Sequence, residues 1–151
     1  FNAFYSLALN PVAAKNFWKE VDLSGIYNLD KGHFFTETLL MSIVAIMKAI
    51  LFYLIVKVLY NKKLDLAQPF NIEMKRFILN ISYLTIGIGF FSNWGVDYTA
   101  WLAAKGVIMP DIQRLGFGGA DVWLFMGVTL IVIAQVFKRG IEIQSENDLT
   151  I

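Results

Sequence analysis

Lys48 is the residue whose surroundings have most to explain. It stands near the middle of the run 39–60, where Lys48 and Lys57 are the only charges. At 1.5 Å per residue it lies about 14 Å from either end of a spanning helix. An ammonium at that depth costs about 2.5–3.5 kcal/mol on insertion scales. Its aliphatic stem is too short to carry the charge to water unaided. No Asp or Glu falls at the same depth: Glu37, Asp97 and Asp121 lie near one boundary and Glu73 near the other. Thr85 and Thr129, with Gly87, Gly89 and Gly127, fall near the same level on the other two apolar runs. Hydroxyls there, and backbone carbonyls beside small residues, are the candidate acceptors. Lys48, Thr85 and Thr129 are therefore the candidate intramembrane polar site. The functional reading is a proton or anion site facing a cavity. The plainer reading is a structural lysine that is neutral, bonded to backbone, or paired with a helix outside this sequence.

Other chemistry is thin. His33 is the sole histidine, with Glu37 one helical turn later. Two ligands fall short of the three or four a zinc site takes, and Asp30 is a third only with a favourable turn. An interfacial histidine is the expectation. The chain has no cysteine, so no thiolate, disulfide or cysteine metal site exists. No nucleophile elbow, phosphate-binding glycine loop or His-Glu-x-x-His pattern is present. The expectation is a protein that is not an enzyme and needs no cofactor. A net charge of +1 and the lack of a basic recognition helix also argue against direct nucleic-acid binding.

The C-terminal segment is the second place to look. Glu142, Glu146 and Asp148 follow Lys138 and Arg139, with Ile141, Ile143, Leu149 and Ile151 interleaved. It reads as a helix extension with a frayed polar end, or as a docking element for a partner or for the basic loop 61–76. The candidate docking residues are Pro69 and Phe70 in that loop and Glu142, Glu146, Asn147, Asp148 and Leu149 in the tail.

The elements that must position these residues are apolar helices. Of 151 residues, 57% are hydrophobic and 17% charged; soluble domains run about 45–50% and about 25%. The mean hydropathy is +0.57. Runs 39–60, 77–96 and 120–137 approach the roughly 20 apolar residues a spanning helix needs. Three such helices, apolar on nearly every face, would need a much larger soluble protein around them. Residues 1–9 read as the end of an earlier helix, closed by Asn10-Pro11. The fold expected is an all-α transmembrane bundle: three full spans plus the end of a first one, four in the full-length protein. Loops 10–38 and 97–119 fall on the outer side. Lys62, Lys63, Lys75 and Arg76 in 61–76, and Lys138 and Arg139 in the tail 138–151, place those segments in the cytoplasm by the positive-inside rule. Phe17 and Trp18 are expected at headgroup level. Gly116, Gly118 and Gly119 read as a flexible approach to the last helix. Asn71 reads as a helix N-cap.

The tail 134–151, AQVFKRGIEIQSENDLTI, resembles the end of a family of small bacterial membrane proteins, the domain-of-unknown-function family 2975. Asn10-Pro11, Asp22-Leu23-Ser24-Gly25, the stretch from Lys48 to Lys57, Pro69-Phe70 and Ile81-Ser82-Tyr83 are similar to that family too. The resemblance implies four transmembrane helices in a bacterial cytoplasmic membrane and no established activity. It also implies a frequent gene neighbour, a small helix-turn-helix regulator of the Cro/CI type. Two functional expectations follow. The first is a non-enzymatic interaction or regulatory protein that docks a cytoplasmic partner such as that regulator. The second is a small transporter or channel subunit with a polar site at Lys48, where a homo-oligomer could form a path that one bundle cannot.

Overall fold

A computed structural model of the chain describes residues 2–8, 10–17, 21–60 and 70–148. The regular elements among them are helices. α1 (Asn2–Ala8) is followed by a 3-10 turn (Pro11–Asn16) and α2 (Ser24–Leu29). Three long helices come next: α3 (Lys31–Tyr60), α4 (Ile72–Ala104) and α5 (Ala120–Asp148). Each of the three is long and apolar enough to cross a membrane. The all-α reading stands.

The helices outrun the apolar stretches. α3 begins at Lys31 rather than near 39, α4 covers Ile72–Ala104 rather than 77–96, and α5 continues through most of the polar tail. A helix already nucleated gains one hydrogen bond for each residue it adds, so polar flanks without Pro are drawn in.

The chain divides into two compact units. The first comprises Phe1–Ile46 and Phe90–Ala120. Its short elements are set by side-chain caps. Asn10 Oδ1 accepts from the Val12 amide at 3.0 Å, ahead of a Pro at the first position of the 3-10 turn. Asp22 Oδ1 accepts from the Ser24 amide at 2.8 Å and from its hydroxyl at 2.5 Å. Those bonds, the hydroxyl's first, hold the Asp22 carboxyl below its ordinary range, with Lys15 adding to the effect against a small desolvation. Asp30 Oδ1 accepts from the Gly32 and His33 amides at 2.6 and 3.1 Å and so caps α3.

Packing in this unit centres on Phe34, fully buried, with the rings of Phe17 and Tyr27 edge-on at 5.7 and 5.3 Å. Phe17 is buried in this core, and its amide donates to Val21 O at 3.0 Å. Trp18 lies outside the described residues. The segment from Lys105 to Gly119 holds fixed turns rather than a flexible approach. After α4, the Val107 amide bonds Leu102 O and the Gly106 amide bonds Ala103 O, the paired bonds of a Schellman stop. Phe117 with Ile112, and Gly116 with Gln113, repeat the pattern. Gly106 and Gly116 both have φ near +86°, which a side chain would oppose.

The second unit comprises Met47–Gly89 and Asp121–Ile151. Here α4 and α5 meet backbone to backbone. A Cβ on Gly127 would lie 3.0 Å from Ile86 N and 3.2 Å from Ser82 O, and one on Gly89 would lie 2.9 Å from Leu124 N. This is how small residues bring membrane helices together. Asn71 caps α4, its Oδ1 accepting from the Met74 amide at 2.7 Å.

Beside its apolar core, the protein exposes much apolar surface and buries several polar side chains. Ile46, Phe52, Val56, Phe125, Val132 and Val136 are each more than half exposed. Ser6, Glu37, Thr38, Ser82, Thr85, Ser92 and Thr99 are buried. Lipid removes the penalty for exposed apolar groups and favours polar groups facing inward, where they find partners.

Candidate functional site

The expected polar residues of the second unit are placed as follows. Lys48 is half-buried on α3, and its Nζ lies 5.4 Å from the centre of the Trp123 ring on α5, within cation–π range. Thr85 is buried and donates its hydroxyl to Ile81 O at 2.5 Å. Thr129 is exposed and donates to Phe125 O at 2.9 Å. Both threonines thus spend their single hydroxyl hydrogen on their own helix, leaving lone pairs as acceptors. Trp123, in the first turns of α5, is the unexpected member. Its indole face suits an ammonium whose stem runs along apolar surface.

The expected docking residues also gather in the second unit. The Phe70 ring lies against Phe137 at 5.3 Å between centres, edge to face. A Cβ on Gly140 would come within 2.5 Å of that ring, so Phe70 occupies the space a side chain would take. Glu142 accepts from Arg139 Nη1 at 3.1 Å and lies 3.9 Å from Lys138 Nζ. These are exposed pairs along one helix, worth about 0–1 kcal/mol each. Glu146 and Asn147 are exposed on α5, and Asp148 is its last residue. Pro69 and Leu149 lie outside the described residues, as do Lys62 and Lys63.

Sequence reasoning placed Glu37 near a boundary and paired it with His33 as a weak metal candidate. The structure gives the two residues different partners. His33 Nδ1 stands 2.7 Å from the Tyr98 hydroxyl of α4, and the His33 ring meets Trp101 edge-on at 5.3 Å. Tyr98 and Trp101 stack at 5.7 Å, and Lys105 Nζ sits 3.6 Å from the Trp101 ring centre. Glu37 is fully buried. Its Oε1 accepts from Thr99 Oγ1 at 2.9 Å, while Oε2 is buried with no hydrogen-bond partner. The same Thr99 hydroxyl stands 2.8 Å from Gly95 O.

Local sequence explains the placement. Phe34, Glu37 and Thr38 share the buried side of α3 at helical spacing. On α4, Ser92, Gly95, Thr99 and Leu102 form the buried side. Because α3 starts at Lys31, Glu37 lies inside a helix already capped and packed through Phe34. The available signal was the Ser92–Gly95–Thr99 spacing, which marks a small, hydroxyl-bearing helix face fit to receive a polar side chain.

Chemically, this is a carboxyl held by one hydroxyl in a water-poor place, beside a separate histidine–tyrosine–tryptophan cluster. Among the described residues no group of three His, Cys, Asp or Glu side chains is placed to hold a metal ion. No curated protein and no solved structure matches the chain. The family described as protein of unknown function, DUF2975, matches residues 9–151, nearly the whole length, and the chain belongs to that family.

Proposed function

We propose that this is a non-enzymatic membrane protein that docks a cytoplasmic partner through the end of α5 and the turn before α4. The observation that carries the reading is the seating of Phe70 against Phe137 and Gly140. It ties the start of α4 to α5 where its polar end begins. That surface presents Lys138, Arg139, Glu142 and Glu146, with Ile143 exposed among them. The Lys and Arg bias of 61–76 and 138–139 favours a cytoplasmic position for it.

The partner we favour is a small helix-turn-helix regulator, the kind the family resemblance associates with such proteins. A basic DNA-binding protein suits the acidic end formed by Glu142, Glu146 and Asp148. Holding a regulator at the membrane would withdraw it from DNA. The test is co-expression of the full-length protein with a tagged Cro/CI-type regulator, followed by purification in mild detergent. The regulator should co-elute with the full-length protein and be lost both from a form ending at Gly140 and from Phe70→Ala. Equal recovery with all three forms would overturn the docking role.

A second reading rests on Lys48 and the buried hydroxyls of Ser82 and Thr85, which together put polar groups deep in the second unit. It makes the protein a small transporter or channel subunit. Flux through liposomes that survives Lys48→Met unchanged would remove Lys48 from any conducting path.

A further inference from the structure

The strongest unassigned feature is the Glu37 carboxyl, and it can be read by counting hydrogens. Thr99 Oγ1 lies within hydrogen-bond distance of two acceptors, Glu37 Oε1 at 2.9 Å and Gly95 O at 2.8 Å. A hydroxyl owns one hydrogen. With Glu37 ionised, that hydrogen must serve both acceptors, and Oε2 stays buried as a charged oxygen with no donor. Among the described residues no Lys or Arg pairs with it; Thr99 is its one polar partner. An isolated buried carboxylate is among the costliest groups a fold can hold. With one more hydrogen the arrangement closes. Glu37 Oε1–H donates to Thr99 Oγ1, Thr99 donates to Gly95 O, and each hydrogen has one acceptor. Oε2 is then a neutral carbonyl oxygen, whose unpaired burial costs far less than that of a charge.

We propose that Glu37 and Thr99 form a proton-binding site, in which the folded protein holds a proton on Glu37 at neutral pH, donated to Thr99. The titratable groups on the elements packed there are Asp30, Lys31 and His33 at the start of α3, Asp97, Tyr98 and Lys105 at and just past the end of α4, and Tyr27 of α2, which lies against Phe34. The ammonium groups of Lys31 and Lys105 lie over the rings of Tyr27 and Trp101, and His33 Nδ1 lies against the Tyr98 hydroxyl, so none of these groups is placed on the Glu37 carboxyl. Release of the proton would leave a buried charge on the small-residue face of α4. The first unit therefore has two states that differ by one charge, which is the requirement for a proton-responsive membrane protein. This site is independent of the docking surface proposed above, and either can fail alone.

The test uses the full-length protein in liposomes and infrared spectroscopy in the carboxyl C=O region. At pH 7 the wild-type protein should show a protonated-carboxyl band that is missing from Glu37→Gln. In Thr99→Val the band should persist but shift in frequency, since its hydrogen-bond acceptor is gone. A wild-type spectrum identical to that of Glu37→Gln in this region would overturn the proposal. A second measurement needs no variant. A hydrophobic carbodiimide reacts with protonated carboxyls inside membranes, so peptide mapping of the labelled wild-type protein at pH 7 should place the adduct on Glu37. Absence of adduct at Glu37, with labelling found only on other carboxyls, would also overturn it.

Discussion

Glu37 and Lys48 stand eleven residues apart on the same helix and are accommodated in opposite ways. Lys48 carries its charge on a long stem, its Nζ 5.4 Å from the centre of the Trp123 ring, and it stays half-buried. Glu37 has a short stem and no such reach. It is fully buried, and a hydroxyl on the next helix meets it. Depth along a helix therefore does not decide which charge is exposed; side-chain length and the neighbouring face do. The two units differ in the same spirit. The first is joined by an aromatic cluster around Phe34 and by the Glu37–Thr99 bond, the second by close backbone approach at Gly89 and Gly127.

The contrast can be broken at four points. The largest effect should come from Gly127→Leu, because its side chain would meet the backbone of Ile86 and Ser82, which cannot step aside. A loss of about 3 kcal/mol is expected, at the upper end for overpacking. It would be read as a large fall in the temperature at which the detergent-solubilised protein loses monodispersity. Thr99→Val should cost less, about 1–3 kcal/mol, the range for stranding a buried polar partner. If it proved as stable as wild type, the first unit would not depend on the Glu37 contact. Lys48→Met should lie within about 1 kcal/mol of wild type, since a cation–π contact of this kind is worth about that much. A clear fall in melting temperature would show that Lys48 holds a structural partner stronger than Trp123.

The smallest effect is at Asp22. Its folded carboxyl is held below the ordinary range, so its contribution is present at neutral pH, above the unfolded value of about 3.9. That contribution is lost as pH falls through the lower folded value. Protection of the amides over 24–29, their exchange measured against the intrinsic rate at each pH, should fall on acidification in wild-type protein. In Ser24→Ala, where the strongest of the bonds to Asp22 is gone, protection should start lower and change less with pH.

The three spanning helices were legible in the sequence because their apolar runs leave few alternatives, and the Asn71 cap before α4 was legible from local chemistry. The extension of α3 back to Lys31 was not, since Lys31, His33 and Glu37 interrupt the apolar pattern and look like an interfacial loop. The burial of Glu37 was hidden for that reason: its partner Thr99 is far away in sequence, a contact that no local period encodes. Gly116 looked like a source of flexibility, yet its left-handed backbone fixes a turn, as that of Gly106 does after α4. Composition cannot distinguish a loose glycine from one required by a turn.

One consequence concerns mechanics. α5 is a single helix of 29 residues without proline, about 43 Å from end to end at 1.5 Å per residue. Hydrogen bonds along its whole length make it a shaft with no built-in joint. A small turn of its first residues about the axis, where Trp123 meets Lys48, is delivered at Glu142 and Glu146 as a change in which side chains face outward. A proline placed at Val132 would remove the bond to the Val128 carbonyl and kink the shaft there, so that its two ends would no longer turn as one.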